Sequence, residues 1–205
     1  QEGILAKKWR LPEETQLYWT ALSYIKRRNI PEGRSTIYKL ERLNPESRSL
    51  PILFDAFASR YMLDSEIKKA QFWWDRLLKK FPKHRLAPKS AWRLAWSHKQ
   101  KNNIKKALLY LKRGLNTRIF NSEMQAKMLY WQGKFLQESG QTDLAEKSFK
   151  RLILHKPNTY YGMRLLSEKN IPESILSVVK TRKSKLYAKP EKPISQKTKE
   201  LLNRT

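Results

Sequence analysis

Ser65-Glu66-Ile67-Lys68-Lys69-Ala70, Asn102-Asn103-Ile104-Lys105-Lys106-Ala107 and Gly140-Gln141-Thr142-Asp143-Leu144-Ala145 are three versions of one phrase, each opening a stretch with helical apolar spacing. The small residue that closes the phrase recurs at Ala70, Ala107 and Ala145, in steps of 37 and 38, and one step earlier stands Gly33. Four positions after each small residue comes a large apolar one: Ile37, Trp74, Leu111 and Phe149. Three units then close with a proline twelve residues on, at Pro45, Pro82 and Pro157. A small residue lets two helix backbones approach, and the residue one turn later fills the hollow beside the crossing. A period in this range, with this small–large pair, predicts antiparallel helix hairpins of the tetratricopeptide type, slightly longer than the usual ~34 residues.

Outward from that phrase, apolar periodicity predicts helices at about 13–28, 33–43, 50–63, 66–80, 88–101, 103–116, 123–138 and 143–156. Shorter helices are expected near 159–168, 172–180 and 196–203. Strand signals are nearly absent, because no alternating run is bounded by hairpin turn residues. Ser122 with Gln125 has capping-box spacing, and Pro12, Pro51 and Pro88 fall where first turns tolerate a missing N–H. The expected fold is therefore all-α, a solenoid of stacked hairpins over residues 1–168 in which each unit packs on its neighbours. Residues 169–205 read as a basic linker, with Pro190 and Pro193, leading into the start of a further helix and a domain beyond it.

The 205 residues carry 44 Lys and Arg against 18 Asp and Glu, a formal charge of +26, while 40% hydrophobic content suffices for a core. The absence of cysteine excludes disulfides, thiolate metal sites and cysteine nucleophiles. No apolar run approaches the ~20 residues that span a bilayer. Residues 1–8 lack the basic-then-apolar layout of a secretory signal, so export would require one already removed. His84, His98 and His155 stand apart from other ligand types, and the six glycines form no phosphate loop. Neither a catalytic set, a cofactor site nor a metal site is expected in this chain. A surplus of +26 suits anionic partners: peptidoglycan, anionic lipid headgroups or nucleic acid, the last the least favoured. A lysine-rich background composition is the plainer explanation for part of it.

Three segments in order carry a family resemblance: Trp92-Arg93-Leu94-Ala95-Trp96, then Ala126-Lys127-Met128-Leu129-Tyr130-Trp131-Gln132-Gly133-Lys134, then Pro157-Asn158-Thr159-Tyr160-Tyr161-Gly162. Together, over about 81–166, they resemble the helical superhelix of soluble lytic transglycosylases. The resemblance implies a cell-envelope or periplasmic location and a non-catalytic scaffold that guides peptidoglycan glycan strands. Cleavage would belong to a lysozyme-like catalytic domain of the same parent chain. The family's glutamate context, Glu-Ser followed by a Gly-Leu-Met-Gln-type stretch, is not matched at Glu138-Ser139 or Glu173-Ser174.

The alternative reading is a tetratricopeptide-like adaptor with a protein partner in its concave groove. Trp92 and Trp96, one turn apart, share a helix face and are expected to pack between helices. Trp73 and Trp74 diverge by about 100° on their helix. With Trp74 in the core slot after Ala70, Trp73 becomes a candidate contact for glycan or the next domain. Tyr160, Tyr161 and Arg164 are the other candidates, expected to close the last unit and to position the segment after it.

Overall fold

The computed structural model describes residues 12–117, 121–168 and 172–187. Its helices are α1 (Glu13–Lys26), α2 (Ile30–Leu43), α3 (Leu50–Leu63), α4 (Ile67–Lys80) and α5 (Ala87–Lys99), then α6 (Ile104–Leu115), α7 (Ser122–Glu138), α8 (Thr142–His155), α9 (Tyr160–Leu166) and α10 (Glu173–Tyr187). The described residues contain no strand. Helices pair as α1/α2, α3/α4, α5/α6 and α7/α8, and each hairpin packs on the next. The expected all-α stack of tetratricopeptide-like hairpins is what the chain forms. The helix expected over 196–203 lies outside the described residues, as does Trp9.

The small–large pair does what its spacing requires. Gly33, Ala70, Ala107 and Ala145 are buried, as are Ile37, Trp74, Leu111 and Phe149. The first helix of each hairpin has a matching small residue that the repeated phrase does not mark: Ala21, Ala58, Ala95 and Gly133, again 37, 37 and 38 apart and all buried. At the last crossing a Cβ on Gly133 would lie 2.3 Å from the Phe149 ring, so Phe149 occupies the hollow that glycine leaves. Gly114 serves the next joint, since a Cβ there would meet Ala91 of α5 at 2.8 Å and Met128 of α7 at 3.0 Å.

The turns inside the hairpins repeat with the same period. Arg28, Ser65, Asn102 and Gly140 all have positive φ, between 55° and 74°. Each first helix ends in a Schellman arrangement. The N–H of Asn29, Glu66, Asn103 or Gln141 donates back to the carbonyl of Tyr24, Tyr61, His98 or Leu136, at 2.8–2.9 Å. These bonds satisfy the orphan carbonyls of one helix while aiming the chain into the next. Only one of the four positions is glycine, so three units hold an L-residue in the left-handed region, a cost of about 1 kcal/mol each and less for asparagine.

Neighbouring hairpins are tied by ion pairs and hydrogen bonds. Glu41 of α2 receives Arg76 and Lys80 of α4. Asp55 of α3 accepts from Trp74 Nε1 at 3.0 Å and from Arg93 of α5 at 2.7 Å. Asp75 of α4 accepts from Tyr110 Oη of α6 at 3.0 Å, and Arg113 stands 3.7 Å away. Glu168 accepts from Tyr130 Oη at 2.8 Å and from Lys134 at 2.7 Å. Burial, with the adjacent carboxylate second, pushes the phenols of Tyr110 and Tyr130 up to about 12.

Two local expectations need correction. Asn121, not Ser122, caps α7: its Oδ1 accepts from the N–H groups of Glu123 and Met124, at 2.8 and 3.1 Å. Asparagine in the cap position moves Ser122 into the first turn, where its hydroxyl accepts from Lys156 instead. Helical packing also continues past residue 168. The helix α10 lies on α8 with Ile175 fully buried and Ser174 bonded to Glu146, while α9 lies on α7. The short helix expected near 172–180 is present as α10 and runs on to Tyr187, and the pair extends both rows of helices into the stretch 169–205 that reads as linker.

Two measurements check this frame. Ser65→Gly and Arg28→Gly should each raise the stability measured by urea unfolding by about 1 kcal/mol, and Gly140→Ala should lower it by a similar amount. A Cβ at Gly140 meets no atom within 4 Å, so that loss would report backbone conformation alone. For the raised phenols, the stabilising protonated form is fully present below pH 10 and is lost as pH rises through about 12. The melting temperature should therefore fall over that window, and less steeply in Tyr110→Phe and Tyr130→Phe.

Candidate functional site: an aromatic groove on the first helices

The helix α1 packs on α3, and α5 packs on α7, but between α3 and α5 a cavity of about 390 Å³ intervenes. Leu63, Met62 and Ser59 form one wall and Trp92, Arg93 and Trp96 the other, with Trp74 beneath. Leu63 is 77% exposed. Trp92 and Trp96 stack at 5.4 Å, and Trp131 of α7 meets Trp96 edge-on at 5.0 Å. All three tryptophans are partly buried: Trp92 and Trp96 pack between first helices, as their shared face predicts, and both line the groove.

Charge along the first helices is unevenly compensated. The guanidinium of Arg93 is held by Asp55 and Ser59 and covers the Trp74 ring at 4.9 Å. Lys99 pairs with Glu138, and Lys134 with Glu168. Lys127 differs. Its ammonium sits 4.1 Å from the centre of the Trp92 ring, and among the described residues it has no carboxylate partner. Burial lowers its pKa, so the cation is partly stripped of water and balanced only by the tryptophan face. Such a group favours an anion that can reach it.

The four residues singled out from the sequence do not form one site. Trp73 is only 2% exposed, packed on Phe54, Phe57 and Tyr38, so its ring is not offered to a ligand. Divergence by 100° did not free it, because α4 is covered by α3 on one flank and α5 on another; Trp73 and Trp74 fill different sides of one core. Tyr160 is 55% exposed and accepts from Arg164 at 3.1 Å, while Tyr161 packs half-buried against Tyr130. Thr159 fixes this corner, its hydroxyl accepting from Gly162 N–H and donating to the Lys156 carbonyl. Lys127, by contrast, carried no sequence signal, since its lack of a partner depends on where acids of other helices fall.

Among the described residues no group of three or more His, Asp and Glu side chains is placed to hold a metal ion. No described helix is long and apolar enough to cross a membrane. His98 stacks on Tyr110 at 5.3 Å, where burial lowers its pKa.

Gly162 is required by space. A Cβ there would lie 2.4 Å from the Lys156 carbonyl oxygen and 2.6 Å from that of Pro157, both backbone atoms that cannot step aside. Gly162→Ala should cost about 2–3 kcal/mol in urea unfolding and loosen α9, with amide exchange rising at Met163 to Leu166 before it rises in α7.

The tetratricopeptide repeat family's sequence model matches residues 127–159, which cover most of α7, all of α8 and the proline that closes them. No curated protein matches the chain. Among solved structures, one similar chain is a putative kinesin light chain with nearly identical TPR-like repeats from Podosopora anserina, at 12% identity and TM-score 0.46, with 85% of this chain and 97% of that one covered. A point-substituted form of that protein gives 11% and 0.47, with 95% of each chain covered. Another is BtubC (BKLC) from P. vanneervenii, at 15% and 0.48, covering 88% of this chain and 84% of that one. With its own period, turns and crossings in view, the chain is an all-helical solenoid of tetratricopeptide-like hairpins.

Proposed function

We propose that this chain is a protein-interaction scaffold whose first-helix groove receives an extended acidic segment of a partner. The observation that carries this reading is Lys127, a half-buried cation over Trp92 with no carboxylate partner among the described residues. Trp92, which Lys127 covers, lines the cavity together with Trp96 and the exposed Leu63. Indole faces and leucine supply apolar anchorage, and a carboxylate of the segment replaces the water that Lys127 has lost. The net charge of +26 draws acidic partners toward the groove at low salt.

Display selection of random 16-residue peptides against the full chain tests the reading. Acidic sequences carrying an aromatic or aliphatic residue should be enriched, and their affinity should fall at least about tenfold in Lys127→Gln and in Leu63→Ser. Enrichment without acidic character, or binders indifferent to both substitutions, would overturn it.

The ordered segments of α5, α7 and α9 favour a second reading, the superhelical arm of a peptidoglycan lytic transglycosylase in the cell envelope. On that reading cleavage belongs to a catalytic domain elsewhere in the parent chain. The exposed Tyr160 and Arg164 would then touch glycan or that domain. Salt-sensitive binding to purified sacculi, lost in Tyr160→Ala and Arg164→Gln, would support it; no binding to sacculi would end it.

A further inference from the structure

The second helices carry a separate surface. Where α4 meets α6, an opening of about 390 Å³ is lined by Asp75, which stands near Arg113 and accepts from Tyr110. One repeat later the equivalents of Asp75 and Arg113 are Lys112 and Arg151. An ion pair in one opening has been replaced by two cations in the corresponding opening of the next repeat. That opening, about 450 Å³ between α6 and α8, is also lined by Lys105 and Lys147, and no carboxylate lines it. None of the four cations has an ion-pair partner among the described residues. Between the two basic banks runs an apolar floor that includes Leu108, Leu136, Leu109 (45% exposed) and Leu144 (47% exposed).

We propose that this seam is a second docking site, for an acidic amphipathic helix of a partner protein. Lys105 and Lys112 are seven residues apart on α6, and Lys147 and Arg151 are four apart on α8, so each bank presents charge along the channel. A leucine stripe flanked on both sides by cations complements a helix with an apolar stripe flanked by acids. The channel is recessed between two helices, which suits an inserted helix better than a flat bilayer. Its leucine floor offers nothing to a nucleic-acid backbone. Other parts of this chain are poor occupants: residues 1–11 and 188–205 are net basic, and a second copy brings +26 against +26.

The test uses the full chain and an 18-residue helical peptide with leucines at i, i+3, i+4 and i+7 flanked by glutamates. A scrambled isomer of equal charge is the control. The amphipathic peptide should bind at least about tenfold more tightly than the scramble. Lys112→Asp restores the pair seen in the preceding seam. It should raise the melting temperature while weakening the peptide at least about tenfold, whereas Arg34→Asp, an equal charge change elsewhere, should weaken it less than about threefold. Equal binding of the two peptides, or equal loss in the two variants, would overturn the proposal. It would also fall if phosphatidylserine vesicles or a single-stranded oligonucleotide bound with the Lys112→Asp sensitivity and the helix did not. The loss caused by Lys112→Asp should be the same in a Lys127→Gln background, which separates the seam from the first-helix groove.

Discussion

The close approach of the two helices in each hairpin sets everything else. Small residues at 21 and 33, 58 and 70, 95 and 107, and 133 and 145 let the backbones cross, and a large side chain one turn on seals the gap. At the fourth crossing there is no slack at all, since the Phe149 ring lies where a Gly133 Cβ would be. With the crossing fixed, the turn must reverse the chain in a few residues, which a left-handed residue and a Schellman cap accomplish at the same place in every unit. Stacking is then imposed, because a hairpin of this shape leaves apolar flanks that only another hairpin covers.

Charge obeys a complementary logic. Acids are scarce, and many of those in the fold are used up between hairpins: Glu41, Asp55, Asp75 and Glu168 each hold cations of a neighbouring element. The surplus of lysine and arginine is thereby left on the surface. The features of interest arise where the pattern lapses, at Lys127, which has no carboxylate partner among the described residues, and at the α6–α8 seam, where Lys112 takes the place of an aspartate. A charge without its usual counterpart is tolerable when solvent or a partner can supply it, and each lapse adjoins an apolar surface.

Much of the scaffold was legible in the residues. Helix limits over 13–155 agree with the periodicity to within a few residues, because Gly33, Ala70, Ala107 and Ala145 mark a geometric necessity rather than a preference. What eluded the sequence depends on a second neighbour. Trp73 looks free when α4 is considered against one partner, but the helix is covered on two sides. Asn121 takes the cap from Ser122 because its own side chain reaches the first free N–H groups of α7. The α10 segment has a lean, basic sequence, and the burial of Ile175 against the preceding hairpin is something composition does not reveal. The first-helix groove was half visible: Trp92 and Trp96 were placed on one face, but the isolation of Lys127 is a property of three dimensions.

The recurrence of turn and crossing at a step of 37 or 38 residues has a genetic corollary. An in-frame duplication of one step, cut at equivalent points such as 38 and 75, rejoins the chain with turns and crossings in register, whereas excision of 39–75 removes Glu41, Asp55 and Asp75, which tie neighbouring hairpins. Array length can therefore grow by recombination with turn and crossing intact, while the spacing of grooves along the array is quantised by the hairpin.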